Sequence, residues 1–230
     1  MKNSIYTSGK YLANNPSWHL EDSPWKAGNI VYIIKKNRLR PRTICEVGCG
    51  AGEILRQLKK QLPASIKYFG YEISPQAYKL CRANPSGIKF HLADLTREDA
   101  GYDLILIIDV IEHIAHFIPF LKKIRTRGGK FIFHVPLDDC LKNKVFKKNY
   151  EEERKKVGHL HSFAQEKIFA ALKSCGYRVD DYFITPSFSI YPHKSFKNLI
   201  GQILRRLLFR LNSRFAARMM NGFSIMIYCR

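Results

Sequence analysis

The sequence predicts an α/β fold, a mostly parallel sheet with helices on both faces. Two observations predict it. Short apolar runs alternate with helical patterns along the chain, and that alternation builds parallel sheets. One run, YDLILIIDV from Tyr102 to Val110, is continuously apolar from Leu104 to Ile108, the mark of a strand buried on both faces. At 230 residues and 46% hydrophobic, the chain suits one domain with a full core.

The elements follow in order. Residues 1–25, polar and aromatic with Pro16 and Pro24, read as an N-terminal arm. The domain proper is residues 26–230. Lys26 to Asn37 is expected to be helical, because Ile30, Ile33 and Ile34 share a face. Thr43–Val47 is a short strand ending at glycines. Glu53–Leu62 carries Ile54, Leu55, Leu58 and Leu62 at helical spacing. Lys67–Ile73 reads as a strand, Gln76–Ala83 as a helix and Lys89–Leu92 as a strand. After the 102–110 run, Phe117–Ile124 is helical and Gly128-Gly129 closes the segment. KFIFHV (130–135) is a strand stopped by Pro136. Gln165–Ser174 is a helix with Gly176 as its stop. Tyr177–Ile184 and Phe223–Cys229 are the last strands.

Between those two strands, 194–218 is a basic amphipathic helical insertion. Phe196, Leu199, Ile200, Ile203, Leu204, Leu207, Leu208 and Leu211 recur at helical spacing; Lys197, Arg205, Arg206, Arg210 and Arg214 line the other side. No acidic residue follows Asp181. It reads first as a docked helix with solvated arginines, and second as a contact with an anionic membrane surface. Nucleic acid is the weaker expectation, since only two phenylalanines are there to stack on bases.

Charge and cysteines bound the class further. There are 39 basic and 19 acidic residues, a formal charge of +20, which favours an anionic partner. Six scattered cysteines form no CxxC pair, so reduced thiols and a cytoplasmic setting are expected. The N-terminus has no apolar signal core, and no apolar run reaches membrane-spanning length.

The chemistry centres on ICEVGCGAGEI, residues 44–54. A dinucleotide fingerprint aligned on Gly48 and Gly50 would put Glu53 at its third glycine, where a carboxylate opposes a diphosphate. A ligand bearing an amino group and a sulfonium centre tolerates that rim better. Acids end successive strands at Glu46, Glu72, Asp94 and Asp109. Ligands of such sheets lie beyond these strand ends, where an acid can accept from ribose hydroxyls.

The ordered set EVGCGAGE (46–53), YEIS (71–74), LADL (92–95), YDLILIIDVIEHI (102–114) and GGKFIFHVP (128–136) resembles the class I S-adenosylmethionine-dependent methyltransferases, in their small-molecule branch (methyltransferase type 11/12/23-like). The resemblance implies a Rossmann-like fold with a seven-stranded, mostly parallel sheet whose last strand is antiparallel. It implies S-adenosyl-L-methionine as cofactor. By position, Glu46, Gly48, Cys49 and Gly50 would lie at its amino-acid end, Glu72 and Ile73 at the ribose, and Asp94 and Leu95 at the adenine. Asp109 and Val110 would border the methyl-transfer pocket. Cys49 also reads as a small packing residue.

Methyl transfer from a sulfonium is an in-line displacement, assisted by positioning and, for a hydroxyl acceptor, by a general base. The candidate bases are His161, His159 and His113, with His134 behind them. GHLHSF (158–163) resembles a segment lying over the active-site mouth in the small-molecule branch. Glu112 and His113 with His159 or His161 could also suit a divalent ion; no metal is assigned. Trp18, His19 and Trp25 could line the acceptor site. The expected reaction is transfer to a small-molecule or glycan acceptor, at oxygen. The alternatives are an RNA methyltransferase, with metal-assisted transfer to the 2′-oxygen as one form, and a non-catalytic cofactor-binding partner subunit.

Overall fold

The computed structural model describes residues 20–83, 87–189 and 196–230, apart from the side chains of residues 149, 153 and 196–199. Trp18 and His19 lie outside the described residues. Seven strands form one sheet: β1 (Thr43–Val47), β2 (Lys67–Glu72), β3 (Lys89–Leu92), β4 (Tyr102–Ile108), β5 (Gly128–Pro136), β6 (Val179–Thr185) and β7 (Ser224–Cys229). Their order is β3-β2-β1-β4-β5-β7-β6. β1 pairs in parallel with β2 and β4, and β7 runs antiparallel between β5 and β6. The expected architecture is the observed one.

The helices are α1 (Ser23–Lys36), α2 (Glu53–Gln61), α3 (Pro75–Ala83), α4 (Phe117–Arg125), α5 (Leu141–Val145), α6 (Lys147–Val157), α7 (Gln165–Ser174), α8 (Phe196–Leu211) and α9 (Ser213–Met219). Strand alternation divides the core. Leu104 and Leu106 of β4 point to the face covered by α1 and α2, meeting Ile30, Ile33, Leu55 and Leu58. Ile105 and Ile107 point to the other face, with Leu121, Phe131, Phe133, Ile168 and Leu172. Each fully buried aliphatic or Phe side chain contributes about 1.5–3 kcal/mol, so the doubly covered β4 anchors both layers. Lys36 and Asn37 at the end of α1 reach Asp181 of β6 at 2.8 Å each.

Three local expectations change. The first helix starts at Ser23 rather than Lys26, because Pro24 sits in its first turn, where its fixed φ helps the helix and its missing N–H costs nothing. Two helices, α5 and α6, occupy a stretch for which no element was expected; α6 reads KKNYEEERKKV and has no apolar stripe to announce it. The basic insertion breaks into α8 and α9 at Asn212, whose side chain caps α9 by accepting from the Phe215 N–H at 3.0 Å. Among the described residues no helix is long and apolar enough to cross a membrane.

Candidate functional site

The sheet order reverses between β1 and β4, so a crevice opens beyond their carboxyl ends. The glycine loop fills the β1 side. Gly48 has φ +68°, and a Cβ there would stand 2.9 Å from Val110 Cγ2. Only a glycine lets this backbone pass so close to the β4 loop. The Gly48 and Cys49 N–H groups donate to Tyr71 O at 2.8 and 3.1 Å. Glu72 holds the loop from below, accepting from Gly50 N at 2.9 Å and Ser74 N at 2.7 Å. The Ile73 N–H is a third backbone donor, and the remaining acceptor capacity of the carboxylate is left for a ligand. Burial pushes its carboxyl up, against the pull of those backbone donors.

Glu46 is 2% exposed, and its Oε2 has no hydrogen-bond partner among the described residues. Burial pushes its carboxyl well up. A buried carboxyl of this kind needs a donor, and an ammonium group at the amino-acid end of S-adenosylmethionine would supply one. Glu53 opens α2 and accepts from Gln57 at 2.7 Å; its charge suits a helix N-terminus and disfavours a diphosphate there. Bare backbone, an orphaned carboxyl and spare acceptors at Glu72 fit the cofactor that the sequence implies.

The other predicted positions divide. Ile73 stays exposed on the rim, whereas Leu95 is fully buried in the core. Asp94 caps the turn at Leu95–Arg97, its Oδ1 accepting from Thr96 N and Oγ1 at 3.0 and 2.8 Å. Cys49 is buried, its thiol pushed up by a hydrogen bond to Cys81 and by burial.

Asp109 belongs to a network only half foreseen. Its backbone has φ +52°, an uncommon conformation outside glycine. Its Oδ1 lies 2.6 Å from His134 Nδ1 and its Oδ2 2.8 Å from Lys26 Nζ. Lys26 also pairs with Asp22 at 2.9 Å. Burial opposes charge on both, yet the pairing wins: it holds the Asp109 carboxyl well below the usual carboxylate range and raises the Lys26 ammonium. His134 is engaged at both nitrogens, the second at 3.1 Å from Thr185 Oγ1, and is 2% exposed. It anchors Asp109 and has no open nitrogen for an acceptor. The signal for Lys26 was its position four residues before Ile30, on the buried face of α1.

A pH prediction follows. Unfolded Asp109 titrates near 3.9, and the folded group lies lower, so its stabilisation is complete above that value and fades as pH falls below it. Asp109→Asn should cost about 1.5–3 kcal/mol at pH 7, the worth of a charged hydrogen bond. In urea unfolding, the gap to wild type should narrow below about pH 4. A gap independent of pH would remove the charge argument.

The three histidines have distinct surroundings. His161 Nε2 faces the Ile114 and Ala115 carbonyls at 3.0 and 3.2 Å, so that nitrogen donates and clips the loop. His113 Nδ1 lies 3.1 Å from Gly158 O. His159 Nδ1 lies 3.0 Å from Asp138 Oδ2, an imidazole oriented by a carboxylate. The Leu160 and His161 N–H groups donate to Glu112 O at 2.7 and 3.1 Å, which ties this loop to the turn after β4. The His113 and His159 rings meet edge to face at 4.9 Å. Glu112 is fully buried, with neither carboxyl oxygen partnered among the described residues, and its carboxyl is pushed up by burial and by Asp109. Ligating atoms of Glu112, His113 and His159 lie within 4.8 Å of one another, a donor set that could hold a divalent cation. A separate cavity of about 340 Å³ is lined by Leu137, Asp139, Ala164, Ile184, Phe215 and Arg218, among others, and by none of these histidines.

Known proteins carry the same pattern. A family model described as a methyltransferase domain matches residues 26–182. Ajmaline N-methyltransferase of Rauvolfia serpentina is 27% identical over 133 residues, 52% of this chain and 45% of that protein. A probable (S)-tetrahydroprotoberberine N-methyltransferase 2 of Papaver bracteatum is 30% identical over 133 residues, 54% of this chain and 36% of that one. The match thus spans less than half the length of these curated relatives. Among solved structures, a plantazolicin methyltransferase in complex with a triazolic desmethylPZN analog and SAH superposes with a TM-score of 0.61 at 17% identity, covering 96% of this chain and 88% of that one. Magnesium protoporphyrin IX methyltransferase from Synechocystis PCC 6803 with bound SAH gives 0.59 at 14% identity, covering 90% and 81%. These likenesses carry the fold.

Proposed function

The chain belongs to the methyltransferase domain family, the class I S-adenosylmethionine-dependent fold, and from that premise we propose that it transfers a methyl group from S-adenosylmethionine to an oxygen of a small-molecule acceptor. The observation that carries the acceptor chemistry is the His159–Asp138 pair, in the loop that is tied to the turn after β4 through Glu112 O. When bound, the cofactor supplies an electrophilic methyl on a sulfonium. Glu46 would hold its ammonium and Glu72 its ribose hydroxyls. Asp94 would accept from the adenine amino group through the oxygen not taken by Thr96. The glycine loop and Val110 would fix the depth of the sulfonium. Asp138 accepts from Nδ1 of His159, which keeps the lone pair on Nε2 to take the acceptor's proton as the new bond forms. The curated relatives are named as N-methyltransferases, so nitrogen is the rival acceptor atom; a neutral amine would leave His159 with less to do.

Transfer of labelled methyl from S-adenosylmethionine into cell extract, fractionated into small metabolites, glycans, lipids, protein and RNA, tests this reading. Label in a small metabolite, released as an O-methyl product, supports it. Label in RNA alone, or none with cofactor bound, overturns it in favour of an RNA enzyme or a non-catalytic subunit. The unpartnered Glu112 oxygens favour one second reading, metal-assisted transfer. Turnover lost in chelator and restored by a divalent ion would support that reading; turnover unchanged in chelator would remove it.

A further inference from the structure

Helix α8 packs Leu208 and Phe209 against the core and leaves a second apolar stripe facing outward. Its inward face carries Gln202, which is buried, and Arg205. Arg205 donates from Nε to Asn221 O at 3.0 Å and from a terminal nitrogen to Asn221 Oδ1 at 2.9 Å, and it lies over the Phe188 ring. Phe209 completes that face, stacked on Phe223 at 5.7 Å. The opposite stripe, Ile200, Ile203, Leu204, Leu207 and Leu211, is exposed by 47 to 83%, and Phe215 of α9 extends it at 50%. These positions recur at i, i+3, i+4, i+7 and i+11, one face of a helix. Leaving so many large apolar side chains in water on one stripe is the pattern of an interaction surface.

Helix α5, a neighbour of α8, exposes apolar side chains too. Lys142 of α5 reaches Asn221 Oδ1 at 3.2 Å, the same atom that Arg205 holds, so the two helices are neighbours. Leu141, Val145 and Phe146 are exposed there. Basic side chains border both parts: Arg206, Arg210 and Arg214 are exposed on α8 and α9, and Lys144, Lys147 and Lys148 on α5 and α6. No acidic residue lies between Asp181 and residue 230.

We propose that α8, α9 and α5 form a peripheral docking surface for an anionic lipid bilayer. The charge selects the occupant. A second copy of this chain would bring another +20 against the first, and its patch is as basic as this one. A nucleic acid would satisfy the arginines and leave the leucines in water. An anionic bilayer satisfies both, with leucines in the acyl boundary and arginines among the headgroups. Phe215 belongs to the exposed stripe and to the cavity lining, so docking holds the cavity at the headgroup layer. The inference does not rest on the acceptor assigned above.

Co-sedimentation with vesicles of phosphatidylglycerol and phosphatidylcholine, against phosphatidylcholine alone, tests it. Wild type should pellet with the anionic vesicles at 0.1 M salt and dissociate as salt rises. A Leu204→Glu, Leu207→Glu double variant should bind at least ten-fold more weakly, with unchanged thermal midpoint and S-adenosylmethionine affinity; both positions are exposed, so the fold tolerates them. Arg206→Ala with Arg210→Ala should weaken binding about fivefold per arginine. Wild type staying in the supernatant, equal binding to neutral vesicles, or undiminished binding of the leucine variant would each overturn the proposal. So would a wild-type dimer that the leucine variant dissolves, which would give the surface to a second copy.

Discussion

Glu72→Ala is expected to bind S-adenosylmethionine about 10²–10⁴-fold more weakly than wild type. The estimate counts two hydrogen bonds to a charged group, from the ribose hydroxyls, at about 1.5–3 kcal/mol each. The variant also strips Gly50 N and Ser74 N of their acceptor, which loosens the glycine loop. Calorimetry checks the affinity and thermal unfolding checks the fold. Glu72→Gln separates the two effects: one acceptor oxygen remains for the loop, so stability should recover more than affinity does. An affinity unchanged in both variants would take the ribose away from Glu72.

His159→Ala should slow turnover by about 10²–10⁴-fold, the range for a lost general base, with cofactor affinity intact. The split between kcat and KM carries the sharper reading: the loss should fall on kcat, with KM for S-adenosylmethionine unchanged. Asp138→Asn should show a smaller loss, since it keeps an acceptor near Nδ1 but loses the charge that supports an imidazolium. His161→Ala makes the contrast. Its Nε2 donates to two carbonyls, so its loss should lower the thermal midpoint and leave kcat close to wild type. Full turnover in His159→Ala would end its role as base and would favour an amine acceptor.

Much of this was written in local sequence. Parallel strands buried on both faces read as apolar runs, unbroken in β4 and interrupted near their ends by Glu46 in β1 and His134 in β5, so all three were legible, and glycines with acids at strand ends marked the crevice. What was not legible depends on orientation or on partners distant in sequence. The sequence places four histidines near the strand ends and says nothing of which nitrogen each turns inward; only the fold shows His134 engaged on both sides and His159 held by Asp138. Lys26 meets Asp109 from another element. Helix α6 has no apolar period to find, because its stretch from Lys147 to Lys156 is almost wholly charged and polar. The apolar stripe of α8 was read correctly as a stripe, but hydrophobicity alone suggests it packs inward. Here Arg205, Leu208 and Phe209 take the inward place, and Ile200, Ile203, Leu204, Leu207 and Leu211 face out.

β7 lies between β5 and β6, all six of its residues buried. A ribosome delivers β6 about 40 residues before β7, its neighbour in the sheet among the described residues. The five strands from β3 to β5 can assemble through their local crossovers while synthesis continues, but the far end stays open until residue 229 has left the exit tunnel. During that interval the outer edge of β5 and the whole of β6 offer unpaired backbone to any passing strand. The nascent chain is then most exposed to misassembly, and chaperone protection matters most in that window.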